Sequence, residues 1–228
     1  MIATPQQLAD VMRPVKHVLL DFDGPVCSVF AGLPASEVAQ RLHTGILAAD
    51  EEARFEGAVQ DDPLALYRLI AETRPELAVV ADKALTVLET EAVLTGKSNP
   101  GGESVLRACM RSGRSVSVVS NNAALAIETY LAKKRLRRYV AGVFGRVSGD
   151  PASMKPSPRL LLEAIEAAKA KPEECIFIGD AVRDVEAGYA AGVATVGYAN
   201  KPGKETKLIT AGAVAVVTSM HEIAAVLE

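Results

Sequence analysis

Tryptophan is absent from the 228 residues, and aromatics make up only 4%. A surface on which single-stranded bases could stack therefore lacks its side chains. No long basic run occurs and the formal net charge is −3, which excludes the electrostatic footprint of a nucleic-acid partner. No apolar stretch approaches the length of a bilayer span, and residues 1–14 lack the apolar core of a signal peptide. The chain is thus expected in the cytoplasm, with no membrane partner. Cysteine is scarce: Cys27, Cys109 and Cys175 have no metal-ligand spacing, and an odd, sparse set suits a reducing compartment. Cys27 is read as a small packing residue.

Hydrophobic residues, in contrast, make up 49% of the chain, enough for a sizeable core. Short apolar runs near 15–22, 115–119, 140–146, 175–179, 193–198 and 213–217 read as strands, with helical patterns between most of them. Leu160, Leu161, Ala164, Ile165 and Ala168 make one apolar stripe, with Ser157 and Pro158 as start signals. A second helix is expected from about Val182 to Ala191, stopped by Gly192. Thr4 with Pro5, and Ser219 with Glu222, mark the starts of terminal helices. Strand and helix alternating in this way predict an α/β fold, a parallel sheet with helices on both faces.

Residues 31–98 break the pattern. They show no strands and read as three helices, near 35–49, 61–73 and 76–95. They hold 12 acidic residues against 6 Lys and Arg, so the remainder of the chain is net positive. A right-handed crossover needs only one helix, so this block reads as an insertion, with Ser98-Asn99-Pro100-Gly101-Gly102 as a return hinge. Gly142, Gly145 and Gly149 have the wrong spacing for a dinucleotide fingerprint and read as turn glycines.

Chemistry gathers at strand ends. Asp21 and Asp23 close the run Val18-Leu19-Leu20-Asp21-Phe22-Asp23-Gly24. Asp180 follows Cys175-Ile176-Phe177-Ile178-Gly179, and Asp184 lies one helical turn further on. Ser120-Asn121-Asn122 follow a third run. In open α/β sheets ligands bind at the carboxyl ends of strands. Neighbouring carboxylates repel unless a cation or shared protons relieve them, and hard carboxylate oxygens suit Mg²⁺ together with substrate phosphate. Lys155, between Met154 and Pro156, adds a cation of the kind that recurs in phosphoryl transfer.

These four segments, in this order, resemble the motifs of haloacid dehalogenase-superfamily phosphatases: Asp21-Phe22-Asp23-Gly24, Val118-Val119-Ser120-Asn121-Asn122, Lys155-Pro156, and Gly179-Asp180-Ala181-Val182-Arg183-Asp184. The helical insertion after the first motif is similar to the alpha-helical cap of the phosphoglycolate phosphatase and beta-phosphoglucomutase subfamily. The resemblance implies a Rossmann-like core from 1–30 and 99–228 and a cap from 31–98. It implies Asp21 as nucleophile and metal ligand, and Asp23 as general acid/base that binds the metal through its backbone carbonyl. Ser120 and the Asn121 amide would hold the phosphoryl group, Lys155 would steady Asp21 and the phosphate, and Asp180 and Asp184 would bind Mg²⁺. The expected activity is Mg²⁺-dependent hydrolysis of a small phosphorylated metabolite through an aspartyl-phosphate. Alternatives are a phosphomutase acting on a phosphorylated sugar, or a non-catalytic binding or regulatory protein. The family's dehalogenases lack the second aspartate of the first motif, so Asp23 favours phosphate chemistry. Pro25 and Ser28 stand where the family commonly has Thr and Asp. Cap candidates for substrate contact are Arg41, His43, Arg54 and Arg68, although charged residues more often line a solvated face or a salt bridge.

Overall fold

The computed structural model describes residues 2–49 and 61–228. The first elements are α1 (Pro5–Met12), β1 (His17–Leu20) and β2 (Cys27–Ser28). A helical block follows: α2 (Ala35–Ala49), α3 (Pro63–Thr73) and α4 (Ala78–Thr95). The chain then runs through β3 (Lys97–Ser98), α5 (Pro100–Arg111), β4 (Ser115–Val119), α6 (Ala124–Lys133) and β5 (Gly142–Phe144). It ends with α7 (Arg159–Ala167), β6 (Cys175–Gly179), α8 (Val182–Ala190), β7 (Ala194–Tyr198), α9 (Lys204–Thr210), β8 (Ala215–Val217) and α10 (Met220–Leu227). Among the described residues no helix is long and apolar enough to cross a membrane.

Six strands form one parallel sheet in the order β5-β4-β1-β6-β7-β8. Successive side chains of a strand face opposite sides, and the two sides pack differently. Val18, Leu20, Val116, Val118, Ile176 and Ile178 join a cluster with α1, α5, α6 and α10. Leu19, Val119 and Phe177 join Leu160, Leu161, Ala164 and Ile165 of α7 and Ala187 of α8 on the other. Both faces are therefore covered, as an all-parallel sheet requires.

The expected helix signals operate. Thr4 caps α1 and Ser219 caps α10, each in a capping box, and Gly192, at φ +72°, follows α8 in a left-handed conformation that only glycine adopts freely. At α7 the cap position is Pro158, without a side-chain cap bond. Gly142 is a strand residue rather than a turn.

The return segment differs from the expected hinge. Lys97–Ser98 pair antiparallel with Cys27–Ser28, joining the two ends of the helical block. Asn99 caps α5 by accepting from the Gly101 and Gly102 amides, so Pro100, Gly101 and Gly102 form a helical first turn. The glycines permit close packing: a Cβ on Gly102 would stand 2.0 Å from the Pro25 carbonyl oxygen. Gly102→Ala is expected to cost about 3 kcal/mol, read in thermal unfolding as a fall in Tm of roughly 6–12 °C. An unchanged Tm would show that the Pro25 loop gives way freely.

Candidate active site

β4, β1 and β6 are neighbours in the sheet, so their carboxyl ends open on one edge. Asp21 follows β1, and its amide still donates to the Ile178 carbonyl (2.9 Å). Ser120 follows β4 and Asp180 follows β6. At Gly24 the backbone turns with φ +108°, and a Cβ there would stand 2.7 Å from Asp180 Oδ2. Glycine is required at this point both by the backbone angle and by the approach of Asp180.

Carboxylate oxygens of Asp21, Asp180 and Asp184 lie within 4.8 Å of one another. Asp184 is on the first turn of α8, where Oδ2 accepts from the Asp180 and Ala181 amides, both at 3.0 Å. This satisfies amides the helix start leaves free and aims Oδ1 inward, where its neighbour is the Lys155 ammonium at 2.8 Å. That buried Oδ1 has no other hydrogen-bond donor among the described residues.

Lys155 is 1% exposed. Its ammonium also meets Asp21 Oδ1 at 2.8 Å and donates to the Val119 carbonyl at 3.2 Å, so all three donors are used. Burial alone would lower its pKa, but the Asp184 and Asp21 carboxylates outweigh that and hold it above the ordinary lysine range. Asn121 fixes the Lys155 backbone: its Oδ1 accepts from the Lys155 amide (2.8 Å) and its Nδ2 donates to the Lys155 carbonyl (3.1 Å). Ser120 Oγ and Asn122 hydrogen-bond locally in the same loop.

Burial pushes the Asp21 carboxyl up to about 7. Lys155 opposes the rise, and Asp184 and Asp180 add to it. Asp23 points elsewhere: its Oδ1 accepts from the Val29 amide at 3.0 Å. Burial raises it to about 6, against the pull of that amide and with Asp180 adding to the rise. β1 ends at Leu20, so the period-two alternation of a strand does not carry Asp21 and Asp23 onto one side, and the two side chains take different neighbours. The donor set is hard carboxylate oxygen throughout, partly uncompensated and buried, which fits a divalent cation of the Mg²⁺ type.

The haloacid dehalogenase-like hydrolase family model matches residues 15–192, which span all four motif segments. The chain belongs to this family. It is 32% identical over 133 residues to a phosphoglycolate phosphatase of Xylella fastidiosa, covering 56% of this chain and 57% of that enzyme. It is 29% identical over 231 residues to the plasmid phosphoglycolate phosphatase of Cupriavidus necator, covering 96% of each. Its fold is similar to that of a predicted phosphatase from Clostridium acetobutylicum, with TM-score 0.72, 20% identity, and coverage of 92% of this chain and 97% of that one. This haloacid dehalogenase-like protein is therefore an enzyme, a hydrolase of the phosphatase class.

Several residues at the site carry no motif signal. Asn200 and Lys204 both contact Asp180 Oδ2, at 2.8 and 2.5 Å. Arg146, after β5, donates to Asp82 (2.6 Å) and Glu89 (3.0 Å) of α4 and to the Asn121 carbonyl (3.0 Å). Glu89 in turn accepts from the Asn122 side chain and the Ala123 amide. The loop after β4 is thus held between α4 and Arg146. Of the four cap candidates, Arg41 is paired with Glu91 on the surface and His43 is half-buried on α2. Arg68 on α3 donates to the Lys155 carbonyl at 2.9 Å. Arg54 lies outside the described residues.

Proposed function

We propose that this hydrolase is a Mg²⁺-dependent phosphatase that cleaves a small phosphorylated metabolite through an aspartyl-phosphate on Asp21. The observation that carries this reading is the contact of one buried ammonium, Lys155, with both Asp21 and Asp184 at 2.8 Å, within a cluster completed by Asp180. Asp21 is the nucleophile. Its Oδ1 is held by Lys155 and the Phe22 amide, which leaves Oδ2 as the attacking oxygen. Asp21, Asp180, Asp184 and the Asp23 backbone carbonyl would hold the cation, which when bound offsets the repulsion between a phosphate dianion and the carboxylate. Lys155 steadies the Asp21 carboxylate, and its positive charge would offset the negative charge of a phosphoryl group bound beside it. Ser120 and the Asn121 amide bind phosphoryl oxygens. Asp23 carries the proton to the leaving alcohol and then takes one from water; its raised pKa suits that exchange near neutral pH.

Residues 31–98 act as a cap over the core formed by 1–30 and 99–228. The Arg68 contact to the Lys155 carbonyl brings a cap cation to the rim, where it would meet the leaving group of an acidic substrate. The matches to phosphoglycolate phosphatases make a phosphorylated small acid the first class to test. Release of phosphate from p-nitrophenyl phosphate, with and without Mg²⁺, tests the reaction, and product analysis separates net release from transfer to a sugar. No Mg²⁺-stimulated turnover across phosphorylated acids, sugars, nucleotides and amino-alcohols would reject the proposal.

Metal removal gives a second expectation. A cation that binds only the folded state stabilises it by about 2.7 kcal/mol at 100 times its Kd, so saturating Mg²⁺ should raise Tm by roughly 5–11 °C over the chelated protein. Equal midpoints in Mg²⁺ and in chelator would contradict the assigned ligand set.

A further inference from the structure

Each carboxylate of the cluster is paired with an ammonium, but the two lysines are held very differently. Lys155 is fixed by three partners and its side chain is 1% exposed. Among the described residues the Lys204 ammonium meets only Asp180, at 2.5 Å, and its side chain is 28% exposed. It is the first residue of α9 and follows Gly203, which has φ +81°. It therefore reaches the site on a flexible stem from the rim. Asp180 has a second, neutral partner on the same oxygen, the Asn200 amide at 2.8 Å, so its orientation survives departure of the lysine.

We infer that Lys204 is the exchangeable counter-cation of the metal-free site, balancing Asp180 until a divalent cation displaces it and thereby weakening the site's affinity for that cation. The inference rests on the reading of Asp180 as a metal ligand. Counted with all three carboxylates ionised, both ammoniums together leave one net negative charge, and loss of Lys204 leaves two. An ammonium and a divalent cation sharing one carboxylate repel at short range in a partly buried setting. Cation uptake at Asp180 is thus an exchange, and Lys204 acts through Asp180 as a positioning residue with no contact to the reacting atoms.

The test is calorimetric titration of Mg²⁺ alone, without substrate, into the wild-type chain, Lys204→Gln, Lys204→Arg and Asp180→Asn. Lys204→Gln is expected to bind Mg²⁺ roughly tenfold more tightly, while Lys204→Arg, which keeps the charge, stays near wild type. Equal or weaker binding by Lys204→Gln overturns the inference, as does tightening in Lys204→Arg to the same degree. Asp180→Asn separates the two levels of argument. Lost affinity there with unchanged Lys204→Gln rejects only the role of Lys204; retained affinity in Asp180→Asn rejects Asp180 as a ligand as well.

Discussion

Asp21→Asn should reduce phosphate-ester turnover by roughly four orders of magnitude or more while leaving the fold intact. The substitution removes the attacking oxygen but keeps the shape of the side chain. Asp21 is buried beside two further carboxylates, and its carboxyl is raised to about 7 because burial penalises its charge. Loss of that charge therefore relieves a cost in the metal-free protein. Lys155 is not orphaned, because Asp184 remains 2.8 Å from its ammonium. Thermal unfolding of the chelated variant is expected to match or slightly exceed that of the parent, measured beside steady-state turnover. Loss of activity together with collapse of the fold would mean that the substitution acted through structure and said nothing about the nucleophile. Undiminished turnover would remove Asp21 from the mechanism.

Arg146→Met should produce a large loss of stability. The Arg146 side chain is fully buried and pairs with Glu89, also fully buried, and with Asp82, which is 8% exposed. Its guanidinium also packs over the Tyr67 ring. Removing one partner from such a group leaves buried charge uncompensated, at a cost of about 3–5 kcal/mol. For a chain of this size that is a fall in Tm of roughly 6–20 °C. The effect should reach the site, because Arg146 holds the Asn121 carbonyl and Glu89 holds the Asn122 side chain and the Ala123 amide. Turnover should therefore fall even at temperatures where the variant is folded. Adding Glu89→Gln to Arg146→Met should restore part of the stability by removing the orphaned charge. Denaturant unfolding of the two variants decides this: a single variant within 1 kcal/mol of wild type, roughly the value of one ordinary hydrogen bond, would show that the network is solvated in solution.

Much of the site was legible because its parts are local. A carboxylate at the end of an apolar run, as at Asp21 or Asp180, is visible within six or seven residues. Asp184 was legible from its place four residues after Asp180, although Asp180 lies before α8 and the two are joined by amide capping at the helix start rather than by a shared helix face. The central strand runs were legible for the same reason, since β1, β4 and β6 are short, rich in apolar residues and almost wholly buried.

What was not legible depends on distant partners. Arg146 meets Asp82 and Glu89 across 64 and 57 residues, and nothing in its own neighbourhood distinguishes it from a surface arginine. Lys204 sits after Asn200-Lys201-Pro202-Gly203, which reads as a turn, so its reach back to Asp180 has no local mark. The 98–102 segment misled because Pro and Gly also serve a helix start that must pack closely. Pro100 occupies the first turn, where its missing N–H is not needed, and Gly102 is set by the Pro25 carbonyl rather than by flexibility. Arg68 was one of four equivalent charges in sequence, and only the fold brings it to the Lys155 carbonyl.

The most direct test of the account is to catch the phosphoryl group on the protein. Rapid acid quench during turnover of a phosphorylated small acid with Mg²⁺, borohydride reduction and peptide mapping should convert Asp21 to homoserine. The same treatment should leave Asp23, Asp180 and Asp184 unchanged. Reduction at any of those residues in place of Asp21, or none at all under conditions where phosphate is being released, would contradict the claim that Asp21 is the attacking group.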